Sequence, residues 1–97
     1  MQLGRVIGNV VAVKKVDNLS GFKLMVVDYL DDKLKSKGKS TVCVDTVSAG
    51  KGDLVLLCSS SSARLTADTK NVCTDNTIVG IVDSVSVNGK DILSNKD

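Results

Sequence analysis

Leu54-Val55-Leu56-Leu57-Cys58 is a short, wholly apolar run set between a glycine-rich turn and a block of serines. Its length suits a strand, and with no polar residue to alternate it reads as one buried on both faces. A chain that holds such a strand must supply partners along its edges and cover for both its faces. The run is entered through Gly50-Lys51-Gly52-Asp53, where the glycines permit backbone angles closed to other residues and the aspartate can bond its own backbone, so a tight reversal is expected. It is left through Ser59-Ser60-Ser61-Ser62, which cannot form a core. Ser61 or Ser62 is suited to N-cap a short helix through Ala63, Arg64 and Leu65.

The flanking sequence supplies the partners. Leu3 to Lys14 is β-branched and strand-like, and Gly4 and Gly8 within it mark a bulge, a bend or a close backbone approach. Turn chemistry at Val16–Gly21 leads to a second strand, Phe22–Leu30, with Phe22, Leu24 and Val26 on one face. The lysine-rich stretch Asp31–Lys39 reads as a solvated loop. Ser40–Val47 follows as a third strand, with Val42 and Val44 on one face and Thr41, Cys43 and Asp45 on the other. Residues 66–77 lack periodicity and read as a surface loop. Ile78–Val87 is the last long strand, and Asn88-Gly89 is a strong hairpin signal returning the chain through Asp91, Ile92 and Leu93. Short strands at regular spacing predict an all-β fold: a small five-stranded, OB-like barrel, closed or nearly so, with one short helix and a C-terminal β-hairpin.

Composition limits the chemistry. The 97 residues suit one domain, 1–97, whose core is adequate but not generous, since a chain this size hides about two-thirds of its extended surface. There is no His, Glu, Pro or Trp. The commonest general acids and bases are therefore missing, and with no imidazole to activate them the serines are structural or pore-lining and no enzyme is expected. Cys43, Cys58 and Cys73 form no C-x-x-C pair, so packed, reduced thiols are expected and neither metal nor cofactor. Gly50-Lys51-Gly52 lacks the spacing of a phosphate loop. No apolar run approaches the length of a membrane span. The rival reading is a monomeric barrel binding single-stranded nucleic acid, but with Phe22 and Tyr29 as the only aromatics it lacks the stacking that usually supplies affinity, about 1–3 kcal/mol per base.

Met1–Lys15, Leu19–Val27, Val44–Leu56 with its Val-Asp-x-Val-x-Ala-Gly-x-Gly-Asp pattern, and Asp75 with Ile78–Asp83 together resemble the vertex proteins of bacterial microcompartments, the family of the ethanolamine-utilisation and carboxysome pentamers. The resemblance spans residues 1–83. Ser60 stands where the family has the glycine of Gly-Ser-Ser-Ala-Arg, and the family's proline near residue 73 or 74 is missing. The resemblance implies a homopentamer that caps shell vertices between hexameric facet proteins, in the bacterial cytoplasm, without catalysis or nucleic acid. It further implies that Ser59, Ser60, Ser61 and Ser62 lie near the five-fold axis, and that Arg64, Asp45, Asp53 and Asp83 serve the pentamer and its assembly.

Overall fold

The computed structural model describes residues 1–11, 22–59 and 76–94. Its strands are β1 (Gln2–Val10), β2 (Lys23–Leu30), β3 (Ser36–Asp45), β4 (Leu54–Ser59), β5 (Asn76–Ile81), β6 (Ser84–Val87) and β7 (Lys90–Ser94). The first five close into a barrel in the order β1-β2-β3-β5-β4, and β6 pairs with β7 as a separate ribbon. This is the expected five-stranded barrel with a C-terminal hairpin, and closure leaves the barrel no free edge. The expected helix at Ala63–Leu65 lies outside the described residues.

Alternation sets the core. Val6, Met25, Val27, Cys43, Val55, Leu57 and Ile78 point inward, with Ala49 packed among them and Tyr29 against them. Leu54 and Cys58 are buried as well although they do not belong to that cluster, so the apolar run is covered on both faces as its composition predicted. Leu24 and Val26 share a face, as expected, and it is the outer one. Across β1, β2 and β3 they form two outward rows, Gly8–Val26–Val42 and Val10–Leu24–Val44. Phe22 lies just ahead of β2.

The two glycines of β1 serve different purposes. Between Val6 and Gly8 the register slips against β2, which leaves Ile7 as the extra residue of a bulge. At Gly4 any Cβ would run into Val27 Cγ1 and would sit 3.2 Å from the Asp28 carbonyl oxygen and 3.3 Å from Leu57 Cδ1. Gly4 lies between β2 and β4, paired with Tyr29 and Val55, and the absence of a side chain there leaves room for Val27.

Strand boundaries differ from the sequence reading in three larger places, besides differences of one or two residues at the start of β2 and the ends of β3 and β4. The lysine-rich stretch is not all loop: β3 begins at Ser36, four residues before the expected start, and its first half is exposed strand. A bulge hides this continuity, because Leu30 pairs with Ser36 and Asp28 with Ser40 while Gly38 turns through φ +77°. The turn itself is knotted by Asp31, whose Oδ1 accepts from the amides of Lys33 (2.8 Å) and Lys35 (3.0 Å). Those bonds hold the Asp31 carboxyl below its ordinary pKa, with the two lysine charges adding a smaller pull. The expected strand Ile78–Val87 is two strands broken at Val82-Asp83, and β5 starts earlier, at Asn76, inside the expected loop. The Asn88-Gly89 hairpin forms as predicted, with φ of 53° and 78°, the paired positive angles of a type I′ turn.

Gly4→Ala overpacks the junction of three strands. It should cost about 1–3 kcal/mol, read as a lowered urea midpoint at unchanged slope.

Candidate functional site: the aspartate-clamped loop and the serine junction

The segment between β3 and β4 carries the densest polar bonding of the described chain. Asp45, 7% exposed, ends β3 and turns its carboxylate into the loop, accepting from Val47 N at 3.0 Å and Ala49 N at 2.9 Å. Thr46 Oγ1 donates to the Ile78 carbonyl at 2.8 Å, pinning the loop to β5. Ser48 is held at φ 58°, a left-handed angle uncommon for a residue with a Cβ. Asp53 closes the second half: its carboxylate accepts from Gly50 N at 2.8 Å while its own amide donates to Gly50 O at 3.0 Å. Gly52, at φ 92°, donates its amide to Val6 O at 2.8 Å, and Val6 N donates to Asp53 O at 3.0 Å. The guanidinium of Arg5 donates to Gly52 O at 2.8 Å. Each fixed letter of Val-Asp-x-Val-x-Ala-Gly-x-Gly-Asp thus has a bond, a packed side chain or a backbone angle to explain it.

At the other end of β4 lies the serine junction. Ser59, the last residue of β4, is opposite Asn76, the first of β5. Asn76 is 8% exposed and donates through Nδ2 to Thr41 Oγ1 at 3.0 Å, while the Tyr29 hydroxyl donates to its Oδ1 at a long 3.5 Å. Tyr29, Thr41 and Asn76 therefore form a polar patch at the point where the chain enters the serine run. Sequence reading named Tyr29 and Thr41 in other connections and missed their contact with Asn76. Asn76 falls in a stretch without periodicity, and nothing local pairs it with Thr41, 35 residues away.

Of the expected site residues, Asp45 and Asp53 sit in one loop with their carboxylates bonded to it, and Asp83 is exposed in the break between β5 and β6. Ser60, Ser61, Ser62 and Arg64 lie outside the described residues. A cleft of about 510 Å³ between β1, β2 and the loop is lined by Val10, Leu24, Met25 and Ala49, with Lys23 its one ionisable side chain. Among the described residues no group of three or more acidic or thiol side chains could hold a metal ion. Burial pushes the Cys43 thiol from 9.0 up to about 12, the behaviour of a packed side chain rather than a nucleophile.

A closed small barrel, a rigid clamped loop and a polar junction describe a subunit built for shape. The comparisons agree. The family model for ethanolamine utilisation protein EutN/carboxysome matches residues 1–83. The bacterial microcompartment shell vertex protein GrpN of Rhodospirillum rubrum is 47% identical over 85 residues, covering 88% of this chain and 96% of that one. Its solved structure, a pentameric microcompartment shell protein, superposes with a TM-score of 0.81 over 90% of this chain and 99% of that one. The carboxysome shell vertex protein CcmL of Gloeobacter violaceus is 34% identical, and its structure gives a TM-score of 0.94 with both chains fully covered. These matches define the class, that of microcompartment and carboxysome shell vertex proteins. The chain belongs to the EutN/CcmL family.

Two outcomes follow. Asp45→Ala leaves two loop amides unsatisfied and should cost about 1.5–3 kcal/mol, measured by chemical denaturation. The Cys43 thiol should resist thiol reagents at pH 8 until the protein unfolds. Its pKa is raised in the folded state, so the stability it contributes is complete below pH 9.0 and is lost as pH climbs towards about 12, which an alkaline series of melting temperatures would register.

Proposed function

We propose that this chain is a non-catalytic shell protein that assembles as a homopentamer and caps the vertices of a bacterial microcompartment in the cytoplasm, mating with hexameric facet proteins. The observation that carries the proposal is the near full-length similarity to GrpN, a pentameric microcompartment shell protein, at 47% identity. A sheet of hexagonal tiles closes only where five-fold units are inserted, and such a unit needs shape and surface rather than reactive groups. Residues 1–97 act as one domain in this reading. Ser59 to Ser62 face the five-fold axis, where polar groups can stay wet, and Arg64, Asp45, Asp53 and Asp83 serve assembly. For Asp45 and Asp53 that service is indirect, since their carboxylates shape the loop. The nucleic-acid reading loses one of its two aromatics, because Tyr29 packs against the barrel core.

Each edge contact with a tile is weak and many act together across a shell. Light scattering after size exclusion should give the mass of five chains, and titration with single-stranded oligonucleotides at physiological salt should show no binding. Deleting the gene should leave the enclosed enzymes active within open or elongated shells, and Arg64→Ala should disturb assembly more than folding. Closed shells in the deletion strain, with no second vertex protein present, would refute the proposal.

A further inference from the structure

The turn joining β6 to β7 places a reactive pair in the open. Val87 and Lys90 close it, so Asn88 and Gly89 are its two loop residues and neither belongs to the ladder. Both are exposed, at φ 53° and 78°. No hydrogen bond from the described residues holds the Asn88 side chain, and a Cβ built at Gly89 would meet no atom within 4 Å beyond its chain neighbours. The carboxamide carbon of Asn88 and the backbone nitrogen that follows it are both unencumbered. Asparagine is a thermolabile side chain, and attack by that following nitrogen is the step that consumes it.

Asn-Gly occurs once in the chain. In Asn9-Val10, Asn18-Leu19, Asn71-Val72, Asn76-Thr77 and Asn95-Lys96 the attacking nitrogen belongs to a residue whose side chain crowds it. Asn9 is also held within β1 opposite Met25, and Asn76 is 8% exposed with its carboxamide bonded to Thr41. What restrains Asn88 is the turn itself, because ring closure requires it to leave the turn conformation. That restraint is slight. Strands β6 and β7 pair only with one another, and a lone two-stranded ribbon is at best marginally stable, so the turn can open while the barrel stays closed.

We infer that Asn88 is a site of spontaneous deamidation in the folded protein, with water as co-reactant. Gly89 N gives its proton to solvent base and bonds to Asn88 Cγ, and the carboxamide nitrogen takes up a proton and leaves as ammonia. The product is a cyclic imide. Water adding at Cγ breaks the new bond and leaves aspartate. Water adding at the main-chain carbonyl carbon breaks the original peptide bond and leaves isoaspartate, whose backbone runs through Cβ. Nothing is oxidised or reduced. Either product removes one unit from the chain's net charge of +2. Isoaspartate also lengthens the loop by a methylene, which a two-residue turn closed by Val87 and Lys90 does not accommodate, so the ribbon loosens as the protein ages.

The test uses the full chain, incubated for days at mildly alkaline pH without denaturant and then mapped by proteolysis and mass spectrometry. Amide loss should come first at Asn88, as aspartate and isoaspartate, while Asn9 and Asn76 stay intact, and an acidic form should appear on isoelectric focusing. Amides of β6 and β7 should exchange with solvent faster in the aged protein than in the fresh one. Asn88→Gly keeps the turn, because Gly-Gly suits the same paired positive angles. It should give neither the acidic form nor the faster exchange over the same incubation. A parallel sample in guanidinium chloride shows the conversion of the unfolded chain. An Asn88 still intact in the folded protein after the unfolded chain has lost it would overturn the inference, as would an equal amount of acidic form from Asn88→Gly.

Discussion

The barrel depends on its shortest ladder. Four of the five seams between barrel strands are antiparallel, and the fifth, between β3 and β5, is parallel and joins only Val44 to Thr77 and Asp45 to Ile78. Without it the sheet is open and two edges are exposed. The chain reinforces this seam from its side: Asp45 contributes its backbone to the ladder and its carboxylate to the loop, and Thr46 bonds the Ile78 carbonyl. Closure and loop geometry are one problem, solved by consecutive residues.

The same economy runs through the loop. A connection from β3 to β4 would ordinarily be the most variable part of a small domain, yet here two aspartates, two positive-φ residues and an arginine from β1 fix it. Rigid loops suit a subunit whose function is its outline. An assembly that closes on itself tolerates little angular error in each unit, and local carboxylate clamps stiffen a surface at small cost in buried area.

Strand content was legible in sequence because β-branched runs and turn residues act locally. The buried run Leu54–Cys58, the bulge-bearing β1 and the Asn88-Gly89 turn all follow from residues next to one another. The misplaced boundaries share a cause. Ile78 to Val87 is rich in β-branched residues from end to end, but that composition does not record that the partner changes from β4 to β7 at Val82-Asp83. Ser36–Lys39 is polar enough to be a loop and is strand because β2 runs beside it, with Gly38 absorbing the mismatch. Around the site, Asp45 and Asp53 were recognisable as special, while the Tyr29–Asn76–Thr41 contact joins three distant segments and leaves no local trace.

The parallel seam also bears on how the barrel closes during folding. Hairpin-like pairs such as β2–β3 close small loops and form early, whereas β3 and β5 meet only after some thirty residues have been drawn into a closed loop, at an entropic cost that the two-residue ladder does little to repay. With two residue pairs, this seam adds the least ladder to the barrel. While it is open the β3 and β5 edges are free, and the hazard is edge-to-edge pairing between chains that have not yet closed.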